Sequence, residues 1–232
     1  LLLWFESNGS HRHRRVTLFS NPSSQSQSPH HGLEAERLRA RRTLRASLRA
    51  ARRALAPHLR AEAARRIALH VQREFFLHPG QRVAVYAPLP EELDVEPLAT
   101  LARRHGCEVF VPRLVDRRRR RMRFVPVRGR MQRNHLGILE PAEGDELDPR
   151  WLDLVFLPLV GFDTAGMRLG MGGGYYDRAF AYRHLRRSWF KPQLIGVAYA
   201  LQRIDGILPA AHDVGLDRIV TEEGVLTCST GY

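Results

Sequence analysis

Cysteine is nearly missing from this 232-residue chain. Cys107 and Cys228 lie far apart in unrelated surroundings, which argues against a disulfide framework or a thiolate metal site and fits a reducing compartment. Lysine is scarcer still: Lys191 is the only one among 37 basic residues, so the basic character is that of arginine. No apolar run approaches the roughly 20 residues that a bilayer-crossing helix needs. The longest runs are strand-sized, and no membrane partner is expected. Acidic residues number 24, leaving a formal charge of +13. Most of that excess sits in the first 70 residues, so it marks an N-terminal tail and the first helices, not the whole surface. An arginine bias also follows from genome composition, and nucleic acid is not expected as the main partner.

Residues 1–32 pass from an apolar start through His and Arg into a Ser/Gln/Asn/Pro tract. They read as a disordered extension or a mis-assigned start. Their charges follow the apolar run, the reverse of a targeting peptide's order. One domain is expected over 33–225, with a C-terminal tail at 226–232. Leu44, Leu48, Leu55 and Leu59 recur at helical spacing, with Pro57 kinking or ending that helix, and a second helix spans Glu62 to Phe76. Strands are expected at Val83–Val85, Glu108–Pro112, Arg123–Val127, Asp153–Pro158, Gln193–Ala200 and Ile219–Val220. Helices are expected from Pro97 to Arg104 and from Tyr175 to Ser188. This alternation predicts an α/β fold: a single domain with a mainly parallel central sheet flanked by helices, its ligand cleft at the carboxyl ends of the strands.

The most informative segment follows the apolar strand that ends at Pro158. It runs Gly161-Phe162-Asp163, then Arg168-Leu169-Gly170-Met171-Gly172-Gly173-Gly174-Tyr175-Tyr176-Asp177. Glycine backbone lets amides approach an anion, arginine adds a fork of donors, and a carboxylate at the far end suits the accompanying Mg2+. The spacing is neither the lysine-bearing phosphate loop nor the dinucleotide fingerprint. A plain run of tight turns, with the tyrosines packed on the sheet, is the alternative reading of the same residues.

These residues also carry a resemblance. The glycine segment is joined in order by Leu44-Arg45, Glu92-Leu93-Asp94, Asn134, Gly137 to Pro141, Leu208-Pro209, His212-Asp213 and Thr221-Glu222. Over roughly residues 38 to 223 the chain resembles the 5-formyltetrahydrofolate cyclo-ligase (methenyltetrahydrofolate synthetase) family. The resemblance implies a cytoplasmic enzyme of one-carbon metabolism, here expected to be a monomer. It implies conversion of 5-formyltetrahydrofolate, or its polyglutamates, to 5,10-methenyltetrahydrofolate, with ATP as co-substrate and Mg2+ as cofactor. ADP and phosphate are released after phosphorylation of the formyl oxygen and attack by N10.

By the same resemblance, Arg41, Arg45, Arg168, Gly170, Gly172, Gly173, Gly174 and Tyr175 are nucleotide-binding residues. Arg41 stands where relatives commonly have lysine, and Gly173 where some do. Asp177 and Asp213 are the implied Mg2+ carboxylates, and Arg168 and Asp177 the implied catalytic pair. Glu92 is implied to hold the pterin ring, with Met122, Trp151 and Tyr176 lining the pocket. The usual threonine after Glu92 is Val95 here. The run Arg117–Arg121 has no implied catalytic role. With the N-terminal helix it defines the alternative, an arginine-rich RNA-binding protein whose binding would survive loss of Asp177 and Asp213.

Overall fold

The computed structural model describes residues 29–185 and 191–228. Residues 1–28 of the expected extension, 186–188 of the expected helix and 229–232 of the expected tail lie outside them. The chain divides into two units, Leu1–Arg37 and Leu38–Tyr232. Of the first, only the helical backbone from Pro29 is described. Everything below concerns the second.

Helix α1 (Pro29–Ala54) ends before Pro57, and α2 (Pro57–Glu74) begins on it. The sequence predicts a start at Glu62 with Pro57 as a breaker, whereas a proline with no N–H to lose is a good first helical residue. Strand β1 (Arg82–Ala84), α3 (Glu96–Arg104) and β2 (Glu108–Asp116) form a parallel crossover unit. β3 (Arg121–Pro126) then turns back antiparallel against β2. β4 (Met131–Arg133) and β5 (Leu139–Pro141) make a small antiparallel ribbon outside the main sheet.

β6 (Leu154–Pro158) is the central strand. It feeds a two-stranded ribbon, β7 (Gly161–Phe162) and β8 (Arg168–Leu169), and then α4 (Tyr175–Phe180). The helix expected to reach Ser188 stops at Phe180 and tightens into a 3-10 turn over Ala181–Leu185. β9 (Gln193–Val197), β10 (Arg218–Thr221) and β11 (Gly224–Thr227) finish the sheet, carrying strand structure past the boundary expected at 225.

The sheet order is β11-β10-β9-β6-β1-β2-β3. The five inner strands run parallel and both edge strands antiparallel. Alternation along β6 divides the core: Leu154 and Phe156 face the apolar stripes of α2 and α3, while Val155 and Leu157 share the opposite layer with Phe180 of α4. A strand covered on both faces must be apolar throughout, which is why β6 shows no polar alternation. The chain leaves β1 toward β2 on one side, whereas β6 lies on the other and leads to β9. Loops after β1 and β6 therefore diverge at neighbouring strand ends, the crevice where open α/β sheets place ligands.

Asp163 anchors the β7–β8 turn: its Oδ1 accepts from Met167 N–H at 2.9 Å and its Oδ2 from Ile207 N–H at 2.9 Å. Gly166 in that turn sits at φ +88°, and an added Cβ would lie 2.7 Å from the Leu216 carbonyl oxygen. We expect Gly166→Ala to lower stability by about 2–4 kcal/mol in urea melts, through backbone strain and overpacking together.

Candidate active site

α1 lays three arginines of successive turns along the crevice. Arg41 Nη2 donates to Asp213 Oδ2 at 2.7 Å, and Arg45 Nε donates to the Gly170 carbonyl at 2.7 Å. One turn on, Arg49 Nη2 donates to Glu91 Oε1 at 2.5 Å. Leu44 and Leu48, beside them on the same face of the helix, pack with Val160 and Leu169, fixing how α1 lies on the loop after β6. The spacing that faces the leucines inward faces Arg41 and Arg45 jointly toward the glycines. Burial, and then the neighbouring Arg41 charge, lower the Arg45 pKa, with Asp213 opposing. The buried Arg41 Nε has no acceptor among the described residues. Crowded cations with a donor to spare suit an anion.

The glycine run supplies the other wall. Gly172 and Gly174 take positive φ, +96° and +65°, and a Cβ at Gly172 would stand 3.9 Å from Arg45 Cζ. Gly174 is the left-handed residue from which α4 starts, so Tyr175, Tyr176 and Asp177 form its first turn. Tyr176 stacks on Phe180 and shares an apolar cluster with Met122 and Tyr175.

Arg168, expected at the nucleotide, is held by the protein's own groups. It is only 6 % exposed; Nη2 donates to Asp177 Oδ1 at 2.6 Å and Nη1 to the Val214 carbonyl. Val214 N–H donates to the same Asp177 oxygen at 3.2 Å. The guanidinium thus ties α4 to the segment carrying Asp213. This is how two carboxylates distant in sequence arrive at one place.

Those carboxylates fit a hard cation. Asp177 Oδ2 receives no donor among the described residues, and Asp213 Oδ1 has only His212 Nε2, at 3.8 Å. No cluster of three potential metal-ligating side chains occurs among the described residues. A Mg2+ site of one or two carboxylates completed by phosphate oxygens and water needs none.

Burial pushes the Asp213 carboxyl up, but the Ala210 N–H, Arg41 and His212 outweigh it and hold its pKa below the usual value. A depressed carboxylate contributes stability above its unfolded pKa, about 3.9, and loses it as pH falls through the lower folded value. We expect Asp213→Asn to be about 1–2 kcal/mol less stable than the parent at pH 7. The gap should close in urea melts below about pH 3.9.

Glu92 lies in the loop after β1 and is buried. Leu89 N–H donates to its Oε2 at 3.0 Å, the only hydrogen bond it receives among the described residues. Burial raises its pKa, against the lowering effects of the Leu89 N–H and Arg52, and its charge also raises the pKa of Tyr176, after burial. Glu92, Tyr176 and Met122 therefore belong to one side of the crevice. Trp151 does not join them. It is 64 % exposed and precedes β6, and its carbonyl takes Arg82 Nη1 at the start of β1, the far end of the strands.

The sequence reading missed Arg52 and Gln202. Arg52 is 1 % exposed, donates to the Leu159 carbonyl at 3.3 Å and faces Glu91 at 3.7 Å. Gln202 donates to the carbonyls of Leu159 and Val160 at 2.8 and 3.0 Å. Together they hold the root of the glycine segment. Arg52 lay hidden in an arginine-rich helix, and Gln202 in a segment without a motif.

A family model described as 5-formyltetrahydrofolate cyclo-ligase matches residues 37–222. The 5-formyltetrahydrofolate cyclo-ligase of Escherichia coli K12 is 32 % identical over 184 residues, 77 % of this chain and 98 % of the relative. That of Mus musculus is 29 % identical over 196 residues, 79 % of this chain and 94 % of its own. The NMR structure of Aquifex aeolicus 5,10-methenyltetrahydrofolate synthetase superposes with a TM-score of 0.64 at 29 % identity, covering 83 % of this chain and 94 % of that one. The Mycoplasma pneumoniae synthetase gives 0.62 at 24 % identity over 78 % and 98 %, a likeness of fold. With the phosphate-suited loop, the paired carboxylates and the buried Glu92 on one crevice, the chain belongs to the 5-formyltetrahydrofolate cyclo-ligase family and is an ATP-dependent ligase.

Proposed function

We propose that this protein converts 5-formyltetrahydrofolate to 5,10-methenyltetrahydrofolate at the expense of ATP, releasing ADP and phosphate. The observation that carries the reading is the convergence of Arg41, Arg45, the Gly170–Gly174 backbone, Asp177 and Asp213 at the crevice that also holds Glu92.

The chemistry requires an activated formyl oxygen. The formyl group on N5 is an amide, and its oxygen is a poor leaving group until phosphorylated. The formyl oxygen attacks the γ-phosphorus, the bond to the bridging oxygen breaks, and ADP departs with that electron pair. N10 then attacks the formyl carbon and loses its proton. The carbon–oxygen bond breaks, phosphate leaves with the pair, and the amidinium bridge between N5 and N10 remains.

Arg41 and Arg45 would bind phosphate oxygens beside the Gly170–Gly174 amides, and Tyr175 would cover the nucleotide. Asp177 and Asp213 would hold Mg2+, which offsets phosphate charge when bound. Arg168 holds Asp177 in place through Oδ1, and Oδ2 receives no donor among the described residues. Glu92 would accept from the adjacent N–H donors of the pterin, against Tyr176 and Met122. Fixing nucleotide and folate across one crevice supplies the orientation on which both displacements depend.

The test mixes the protein with 5-formyltetrahydrofolate, ATP and Mg2+, following methenyltetrahydrofolate absorbance and ADP together. Equimolar appearance of both, each requiring the other substrate, is expected. ATP hydrolysis indifferent to folate, or no product from a folded protein, would sink the reading.

A further inference from the structure

The arginines already placed on the crevice are occupied. Arg41 is paired with Asp213, Arg45 with the Gly170 carbonyl, and Arg168 with Asp177 and Val214. None of these hydrogen bonds reaches Gly173, at the middle of the glycine run. A guanidinium from outside the motif does: Arg120 Nη1 donates to the Gly173 carbonyl at 3.2 Å.

Arg120 stands at the tip of the hairpin between β2 and β3, and its conformation is unusual. At φ +51° it is the sole non-glycine at positive φ among the described residues, in a region that disfavours L-residues with a Cβ. Asp116 Oδ1 accepts from Arg119 N–H at 2.8 Å and shapes the turn that leads into it. Among the described residues no carboxylate pairs with Arg120, and its bond to Gly173 is the only one recorded for its side chain. Arg178 Nη1 reaches the Gly173 and Gly174 carbonyls from α4, at 3.5 and 3.3 Å. Two uncompensated cations thus meet at a turn whose own residues carry no side chain. One comes from a distant hairpin and reaches across to the glycine run.

We propose that Arg120 is a phosphate-binding residue of the nucleotide site, brought over the glycine run by the β2–β3 hairpin. When nucleotide binds, its guanidinium exchanges the Gly173 carbonyl for oxygens of the terminal phosphate. A planar fork pairs with phosphate better than with one neutral carbonyl, which drives the exchange. The inference rests on the ATP-dependent reading above and assigns part of the arginine run a role within it.

The informative variant is Arg120→Gly, because glycine accepts the left-handed backbone and the hairpin is kept while the cation is lost. ATP–Mg2+ affinity should be measured by equilibrium titration without folate, beside KM for each substrate and Tm. Arg120→Gly is expected to weaken ATP about tenfold or more. KM for 5-formyltetrahydrofolate should stay within about twofold and Tm should hold or rise, since the ATP contact is lost without disturbing the folate side. Arg120→Lys should recover part of the affinity. Arg118→Ala removes the same charge from the same exposed tip and should change nothing. Unchanged ATP affinity in Arg120→Gly overturns the proposal, as does an equal loss in Arg118→Ala, which would make the effect one of general field. A parent that binds ATP through Arg120 yet forms no methenyl product would fail the reaction and leave this inference standing. A parent that cyclises normally without needing Arg120 would do the opposite.

Discussion

Asp177→Asn is expected to lose turnover by about a thousandfold while remaining folded, the loss of a few kcal/mol of charge stabilisation at the transferring phosphate. Asparagine keeps an oxygen for Arg168 and for Val214 N–H, the two donors that Asp177 Oδ1 satisfies. What disappears is the charge, and with it the affinity of the second oxygen for a hard cation. Asp177→Ala is a poorer test, because it deprives the buried Arg168 guanidinium of the acceptor oxygen as well as the counter-charge. That alone costs about 3–5 kcal/mol. The two variants should therefore diverge in stability and agree in catalysis. The measurement is kcat against Mg2+ concentration with Tm alongside. An asparagine variant within tenfold of the parent at saturating Mg2+ would remove Asp177 from the site.

The layout of the sheet was legible because β6 is apolar at every position and the glycine segment follows it directly. Positions 154–158 could only be a doubly covered strand, and the motif therefore had to lie at its carboxyl end. Pairing across the crevice was less legible. The sequence names Arg41, Asp213 and Asp177 one by one as nucleotide and Mg2+ residues, and only the fold brings Val214 N–H to the oxygen that Arg168 also holds. Arg168 shows the same limit. A sequence shows an arginine among glycines and neither its 6 % exposure nor its hold on Asp177. Trp151 shows a further limit, since proximity in sequence to β6 says nothing about which end of the strand it flanks. Arg120 had no signal beyond a basic run, since its reach to Gly173 depends on the length and turn of a hairpin.

Glu92→Gln should separate the two substrates: KM for 5-formyltetrahydrofolate rises about a hundredfold, as for loss of a buried charged acceptor, while KM for ATP stays within about twofold. One carboxylate oxygen of Glu92 is fixed by the Leu89 N–H, and the other receives no donor among the described residues. That leaves a charged acceptor for ligand N–H groups beside Tyr176. The pH dependence carries a sign. Burial, outweighing the Leu89 N–H and Arg52, raises the Glu92 pKa above the ordinary glutamate value. In the free protein the carboxylate therefore gains its proton at a pH above that of an exposed glutamate, about 4.3. Below that point it presents one acceptor fewer, so KM for the folate climbs as pH falls, and the Glu92→Gln variant lacks this climb. Stability moves the other way. A raised carboxyl binds its proton more tightly in the folded state, so its contribution is full below the unfolded pKa and is lost as pH rises through the folded one. The parent should gain stability on mild acidification relative to Glu92→Gln, over the same interval in which it loses folate affinity. A folate KM unchanged by the substitution, or a climb shared by parent and variant, would assign the pH response to another group and leave Glu92 with packing alone.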